Sequence, residues 1–137
     1  MFDSRFISDE AESLGEFLSP GAVGLRGRIV LGDHAEEFVA LLAAWQRPDY
    51  ERHWRDAADR LLAGHDRSAF FSSAFEFRWT CWREGDRVRV QEHYLGADGF
   101  PEAFDPHDLF THIRDPDDGP SEWNIGIADL AAFLART

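Results

Sequence analysis

A chain of 137 residues is about the length of one ordinary domain, long enough to enclose a single hydrophobic core. Its 26 acidic and 14 basic side chains leave a formal charge of -12, which repels nucleic acid and attracts a basic partner, and no stretch approaches the roughly 18 consecutive apolar residues of a membrane span. The single Cys81 excludes an internal disulfide and suits a reducing compartment; with no basic and apolar leader in Met1–Ser8, the cytoplasm is the expected location.

The N-terminal stretch Met1–Pro20 offers a short helix around Glu10–Leu18 and little else, so residues 1–24 stand as a segment of uncertain structure ahead of a core over 25–134, within one domain of 1–137. Gly27–Leu31 reads as a short β-branched strand. Asp33 and Glu36 then form an acidic variant of the capping box, and Phe38, Leu41, Leu42 and Trp45 recur at i, i+3, i+4 and i+7. That spacing predicts a helix over His34–Ala44, although Phe38, Ala40, Leu42 and Ala44 also satisfy a strand's period of two. The run Pro48–Ala63 is clearer, with Tyr50, Trp54, Ala57, Ala58, Leu61 and Leu62 on one helical face, Pro48 and Asp49 at its start and Gly64 placed to stop it.

From Ser68 onward the period changes to two. Ser68–Ala74 predicts one strand, and Phe75, Phe77, Trp79 and Cys81 followed by Val88, Val90 and Tyr94 predict a hairpin. A two-residue loop at Glu84-Gly85 would pair Cys81 with Val88, Trp79 with Val90 and Phe75 with Tyr94, and would set Trp82 beside Arg87 on the other face. Beyond Leu95, turn clusters at Gly96–Pro101, Phe104–Pro106 and Asp115–Pro120 mean surface loops, interrupted by one apolar turn at Leu109, Phe110 and Ile113. Trp123, Ile125 and Ile127 read as a strand, and Leu130, Phe133 and Leu134 as the apolar face of a closing helix. These pieces predict an α+β fold, an antiparallel sheet with helices packed on one face.

Chemistry is sparse. His107 and His112, with Asp105 and Asp108 beside them, could hold a metal in a small metal-dependent hydrolase, but their spacing matches no defined ligand pattern. Glu92 falls on the apolar side of the hairpin, where burial would raise its pKa, yet no second titratable group can be placed next to it. Cys81 reads as a small buried apolar group, and Tyr50, Trp54 and Trp123 as core; an exposed one among these three would become an interface anchor. There is no Gly-rich phosphate loop, no nucleophile elbow and no CxxC pair, so no cofactor and no catalytic residue are expected.

The charge pattern carries more. Leu25–Val90 is neutral, with eleven residues of each sign, whereas the last 47 residues carry ten acids and two arginines. Glu102, Asp105, Asp108, Asp115, Asp117, Asp118 and Glu122 are the candidate partner-binding residues, an acidic surface able to steer onto a basic cleft. The residues also resemble a family. Ile29-Val30-Leu31-Gly32-Asp33, the acidic-apolar segment closing at Trp45, the helix opening Asp49-Tyr50-Glu51 and carrying Trp54, the Glu84-Gly85-Asp86 hairpin, and Ser121-Glu122-Trp123 before a closing helix resemble immunity proteins of bacterial contact-dependent growth inhibition and related polymorphic toxin systems. His53 stands where this pattern has Gln. The resemblance implies a small cytoplasmic protein, without catalysis of its own, that binds and blocks the C-terminal toxin domain of a cognate effector, often a nuclease; it does not imply which toxin or which oligomeric state.

Overall fold

The computed structural model describes residues 1–15, 20–43, 45–72, 77–94, 110, 113, 115–119 and 121–137. In chain order its elements are β1 (Phe2–Phe6), β2 (Glu12–Ser13), β3 (Val23–Leu31), β4 (His34–Leu41), α1 (Arg47–Leu62), β5 (Arg67–Phe71), β6 (Phe77–Glu84), β7 (Arg87–Tyr94), β8 (Glu122–Gly126) and α2 (Ile127–Arg136). The α+β expectation holds; among the described residues every strand pair is antiparallel, but the strands divide between two four-stranded sheets rather than one. In the first, β3 pairs with β4 along one edge and with β1 and β2 along the other. In the second the order is β5-β6-β7-β8.

The helix expected over His34–Ala44 is instead strand β4, and the reason is local turn chemistry. Gly32 takes a φ of 66°, and Gly32-Asp33 forms the two-residue loop that sets Leu31 opposite His34. A glycine at the first position of such a loop fits the twist of antiparallel strands. Asp33 is therefore a hairpin residue, not a helix cap. The second hairpin repeats the device at Gly85-Asp86, where Gly85 has a φ of 65° and Glu84 faces Arg87. This moves the register by two from the one expected: Cys81 faces Val90, Trp79 faces Glu92, Phe77 faces Tyr94 and Trp82 faces Arg89. A slip of two leaves every side chain on the same face, so burial alone could not distinguish the two registers. At the N-terminus, Glu12–Ser13 is a short strand rather than part of a helix, and β1 adds an edge that sequence periodicity did not announce.

α1 follows its predicted span closely. Asp49 accepts the Gln46 N–H at 2.9 Å to cap its start, Pro48 sits in the first turn, and Gly64 at φ 106° ends it. Tyr50, His53, Trp54, Ala57, Ala58 and Leu61 are buried along one face. The helix also closes the open edge of β5. Phe71 is held at both main-chain groups, its N–H donating to His53 Nε2 and its carbonyl accepting from Trp54 Nε1, each at 2.9 Å; Arg60 Nε donates to the Arg67 carbonyl at 2.9 Å. An edge so occupied cannot recruit another strand.

The core lies where the sheets and both helices meet. Phe2 of the first sheet contacts Phe70 of the second at 4.9 Å and Phe133 of α2 at 5.0 Å, while Phe38 meets Trp54 at 5.7 Å and Trp79 at 6.2 Å. Tyr50 and Trp54 are core residues as expected. Burial drives the Tyr50 hydroxyl, which donates to the Leu41 carbonyl at 2.7 Å, far above the ordinary phenol range, and raises the Cys81 thiol likewise. Cys81 is thus an inert buried group. Among the described residues no helix is long and apolar enough to cross a membrane.

Candidate partner-binding surface

The second sheet has two dissimilar faces. Trp79, Cys81, Val88 and Val90 point into the core, leaving Thr80, Trp82, Arg89, Gln91 and His93 on the outer face. Period-two reading assigns that face to solvent, yet Thr80, Trp82, Gln91 and His93 are all buried. The acidic segment lies against this face at Gln91 and His93. Gln91 holds the segment as a strand would: its Nε2 donates to the Asp117 carbonyl at 2.9 Å, and its Oε1 accepts the Asp117 N–H at 3.0 Å. Arg67 of β5 donates to the Ile113 carbonyl at 2.9 Å, and Phe110 stacks on His53 at 5.9 Å beneath the Arg60 guanidinium. Thr80 shares a hydrogen bond with His93 Nδ1 at 2.9 Å, and His93 Nε2 lies 3.3 Å from Asp117.

Four of the seven candidate acids are described, and this arrangement brings three of them together. Asp117 and Glu122 meet at Gln91, whose Nε2 also donates to Glu122 at 2.8 Å. The Gln91 amide and then Arg89 hold the Glu122 carboxyl below the ordinary range, and Glu122 in turn raises Arg89, with Glu84 and Asp118 adding to the negative field around that guanidinium. Asp118 is exposed. Asp115 sits apart, exposed and ion-paired to Arg67. Glu102, Asp105 and Asp108 lie outside the described residues, as do His107 and His112; among the described residues no three potential ligands converge on a metal position. Arg89 of β7 and Arg67 of β5 are therefore the counterions of Glu122 and Asp115 in this segment. Gln91 and Arg67, its main anchors, carried no sequence signal, because both act on main-chain groups more than twenty residues away.

Beside Glu122, Trp123 is half-buried rather than fully buried. Its indole stacks on His34 of the Gly32-Asp33 hairpin at 4.7 Å and 21° and forms one wall of a shallow groove with Asp33 and Asn124. Glu36, bonded to His34 Nε2 at 3.0 Å, also reaches Glu92 of β7, so His34, Glu36 and Glu92 link the sheets next to the groove. Burial, followed by the Glu36 hydrogen bond and charge, pushes Glu92 up to about 8. The second carboxylate that sequence could not supply is Glu36. His53, in contrast, is wholly enclosed, and burial lowers it to about 3, so it is a neutral acceptor for Phe71.

A family model described as the CdiI N-terminal domain matches residues 40–133 of this chain. The solved "CdiA-CT/CdiI toxin and immunity complex from Enterobacter cloacae" contains a chain similar to this one at 24% identity, with a TM-score of 0.77, covering 99% of this chain and 97% of that one. At that identity the likeness establishes the shared fold. No curated protein matches.

Proposed function

Because this chain belongs to the CdiI N-terminal domain family, the immunity proteins of contact-dependent growth inhibition, we propose that it blocks its cognate toxin domain by docking the acidic face around Asp115, Asp117, Asp118 and Glu122 into a basic, nuclease-type cleft. The observation that carries this reading is the anchoring of the segment. It is pinned through main-chain bonds to Gln91 and Arg67, so its carboxylates are presented on a fixed frame rather than on a free loop. Preorganised charge complementarity raises association rates and loses little entropy on docking. Glu102, Asp105 and Asp108 extend the same charge along the chain, and Trp123 beside Glu122 supplies the aromatic anchor that such interfaces favour. Arg67 and Arg89 partly neutralise Asp115 and Glu122, so Asp118 and the Glu102–Asp108 acids contribute most to steering. In this reading the protein works in the cytoplasm, needs no cofactor and performs no catalysis, since inhibition requires only occupancy of the cleft.

The test is association kinetics with the purified toxin domain at low and high salt. Changing Asp115 and Asp118, then Asp105 and Asp108, to Asn should slow association at low salt, flatten the salt dependence and leave thermal stability nearly unchanged, because exposed charges contribute little to folding. Wild-type rates and an unchanged salt slope in all variants would remove the acidic face from the interface.

A further inference from the structure

A cleft of about 510 Å³ opens between β1, α1 and the end of α2, and shares no residue with the acidic segment. Its floor is the edge of β1 turned away from β3. Odd-numbered main-chain groups of this strand bond inward, Met1 O accepting from Gly32 N–H at 2.8 Å and Ile7 N–H donating to Arg26 O at 3.0 Å. Strand groups alternate sides, so those of Phe2, Ser4 and Phe6 face outward, where Arg136 donates to the Phe2 carbonyl at 2.6 Å. The Ser4 N–H thus looks out from the edge into the cleft. Ser4 is only 3% exposed, lines the cleft, and its hydroxyl has no hydrogen-bond partner among the described residues. A buried hydroxyl left unbonded is a cost that a ligand would relieve.

The walls carry three arginines, Arg5, Arg55 and Arg136, beside the carboxylates of Asp3 and Glu51. Arg5 approaches Asp3 at 3.4 Å and Arg136 approaches it at 4.0 Å, longer than directed charge-assisted bonds, so both guanidinium forks keep free donors. Arg55 makes no hydrogen bond or ion pair among the described residues, and Glu51 is turned to Arg47 at 3.5 Å. In a protein of net charge -12 these three arginines line the same cleft as one enclosed hydroxyl. Guanidinium forks, a strand-edge N–H and a hydroxyl are the set that receives a tetrahedral oxyanion.

We propose that this cleft binds a phosphate group, as inorganic phosphate or as the phosphoryl end of a small sugar phosphate, with Arg5 and Arg55 clamping its oxygens and Ser4 bonding it from below. The volume falls within the ~300–1,000 Å³ of small-ligand pockets and leaves room for a sugar beside the phosphoryl group. Calorimetric titration of the full chain at constant ionic strength with inorganic phosphate, ribose 5-phosphate and acetate tests it. Saturable binding of either phosphate is expected, weakened about tenfold in Arg55→Gln and in Ser4→Ala and unaffected in Arg52→Ala, an exposed α1 residue outside the cleft. Arg55 is itself exposed, so Arg55→Gln stays folded even if Ser4→Ala does not. Saturation by inorganic phosphate identifies the free ion as a ligand, and saturation by ribose 5-phosphate alone identifies a sugar phosphate. No saturable response to either phosphate, equal binding of acetate, or wild-type affinity in Arg55→Gln would overturn the assignment.

Discussion

Glu92→Gln should make this protein more stable in mild alkali while leaving its stability near pH 4.5 almost unchanged. Glu92 lies opposite Trp79 on the core side of β7, with the Glu36 carboxyl facing it from β4, His34 beyond Glu36, and the Trp79 indole opposing the shift by favouring the carboxylate. Its folded pKa of about 8 stands against an ordinary value of 4.5. The folded chain therefore holds a proton that the unfolded chain has already lost between those values. The stabilisation is fully present below about pH 4.5, declines as pH rises, and is gone above about pH 8. A gap of this size corresponds to roughly 5 kcal/mol for a fully desolvated group. Glu92 is partly open to water, so screening reduces the expected effect to about 1–2 kcal/mol. Gln keeps a neutral hydrogen-bonding group of the same shape and removes the titration. Urea melts of wild type and Glu92→Gln from pH 4.5 to 9 at fixed ionic strength should show the variant gaining relative stability across that window. A difference that stays flat with pH, or a variant less stable than wild type at pH 8.5, would refute the placement of a protonated Glu92 beside Glu36.

His53 should act in the opposite sense: its folded pKa of about 3 lies below the ordinary 6.5, so its contribution is present above 6.5 and lost as pH falls toward 3, about 2 kcal/mol by pH 5. His53→Gln retains an acceptor for the Phe71 N–H and should flatten that acid loss in denaturant melts; equal acid sensitivity in the variant would contradict a buried neutral imidazole. Trp54→Ala removes a fully buried indole and its bond to the Phe71 carbonyl, and should lower stability by about 3–5 kcal/mol. A stable Trp54→Ala variant that no longer binds toxin would instead make Trp54 part of the interface.

What the sequence disclosed follows the range of the forces involved. α1 was legible because its apolar spacing, first-turn acid and stop glycine all act within a few residues. The facing of β6 and β7 was legible from alternation, but the register depended on Gly85 taking the first loop position, a detail that burial cannot distinguish from a shift of two. β4 was misread because Phe38 and its neighbours fit both periods, and only the Gly32-Asp33 turn and the partner β3 decide between them. The acidic segment was visible as composition, whereas its seat on the second sheet depends on contacts such as Gln91 to Asp117 and Arg67 to Ile113 that join distant parts of the chain. Glu36 beside Glu92 is hidden for the same reason, since those residues belong to different sheets.

The most direct test of the account is growth rescue. The C-terminal toxin domain of its cognate effector should be expressed from an inducible promoter, with and without this chain, in the cytoplasm of a susceptible host. The account predicts arrest with the toxin alone and normal growth when both are made, with the two recovered as one complex. Continued arrest while both proteins are soluble and folded would contradict it.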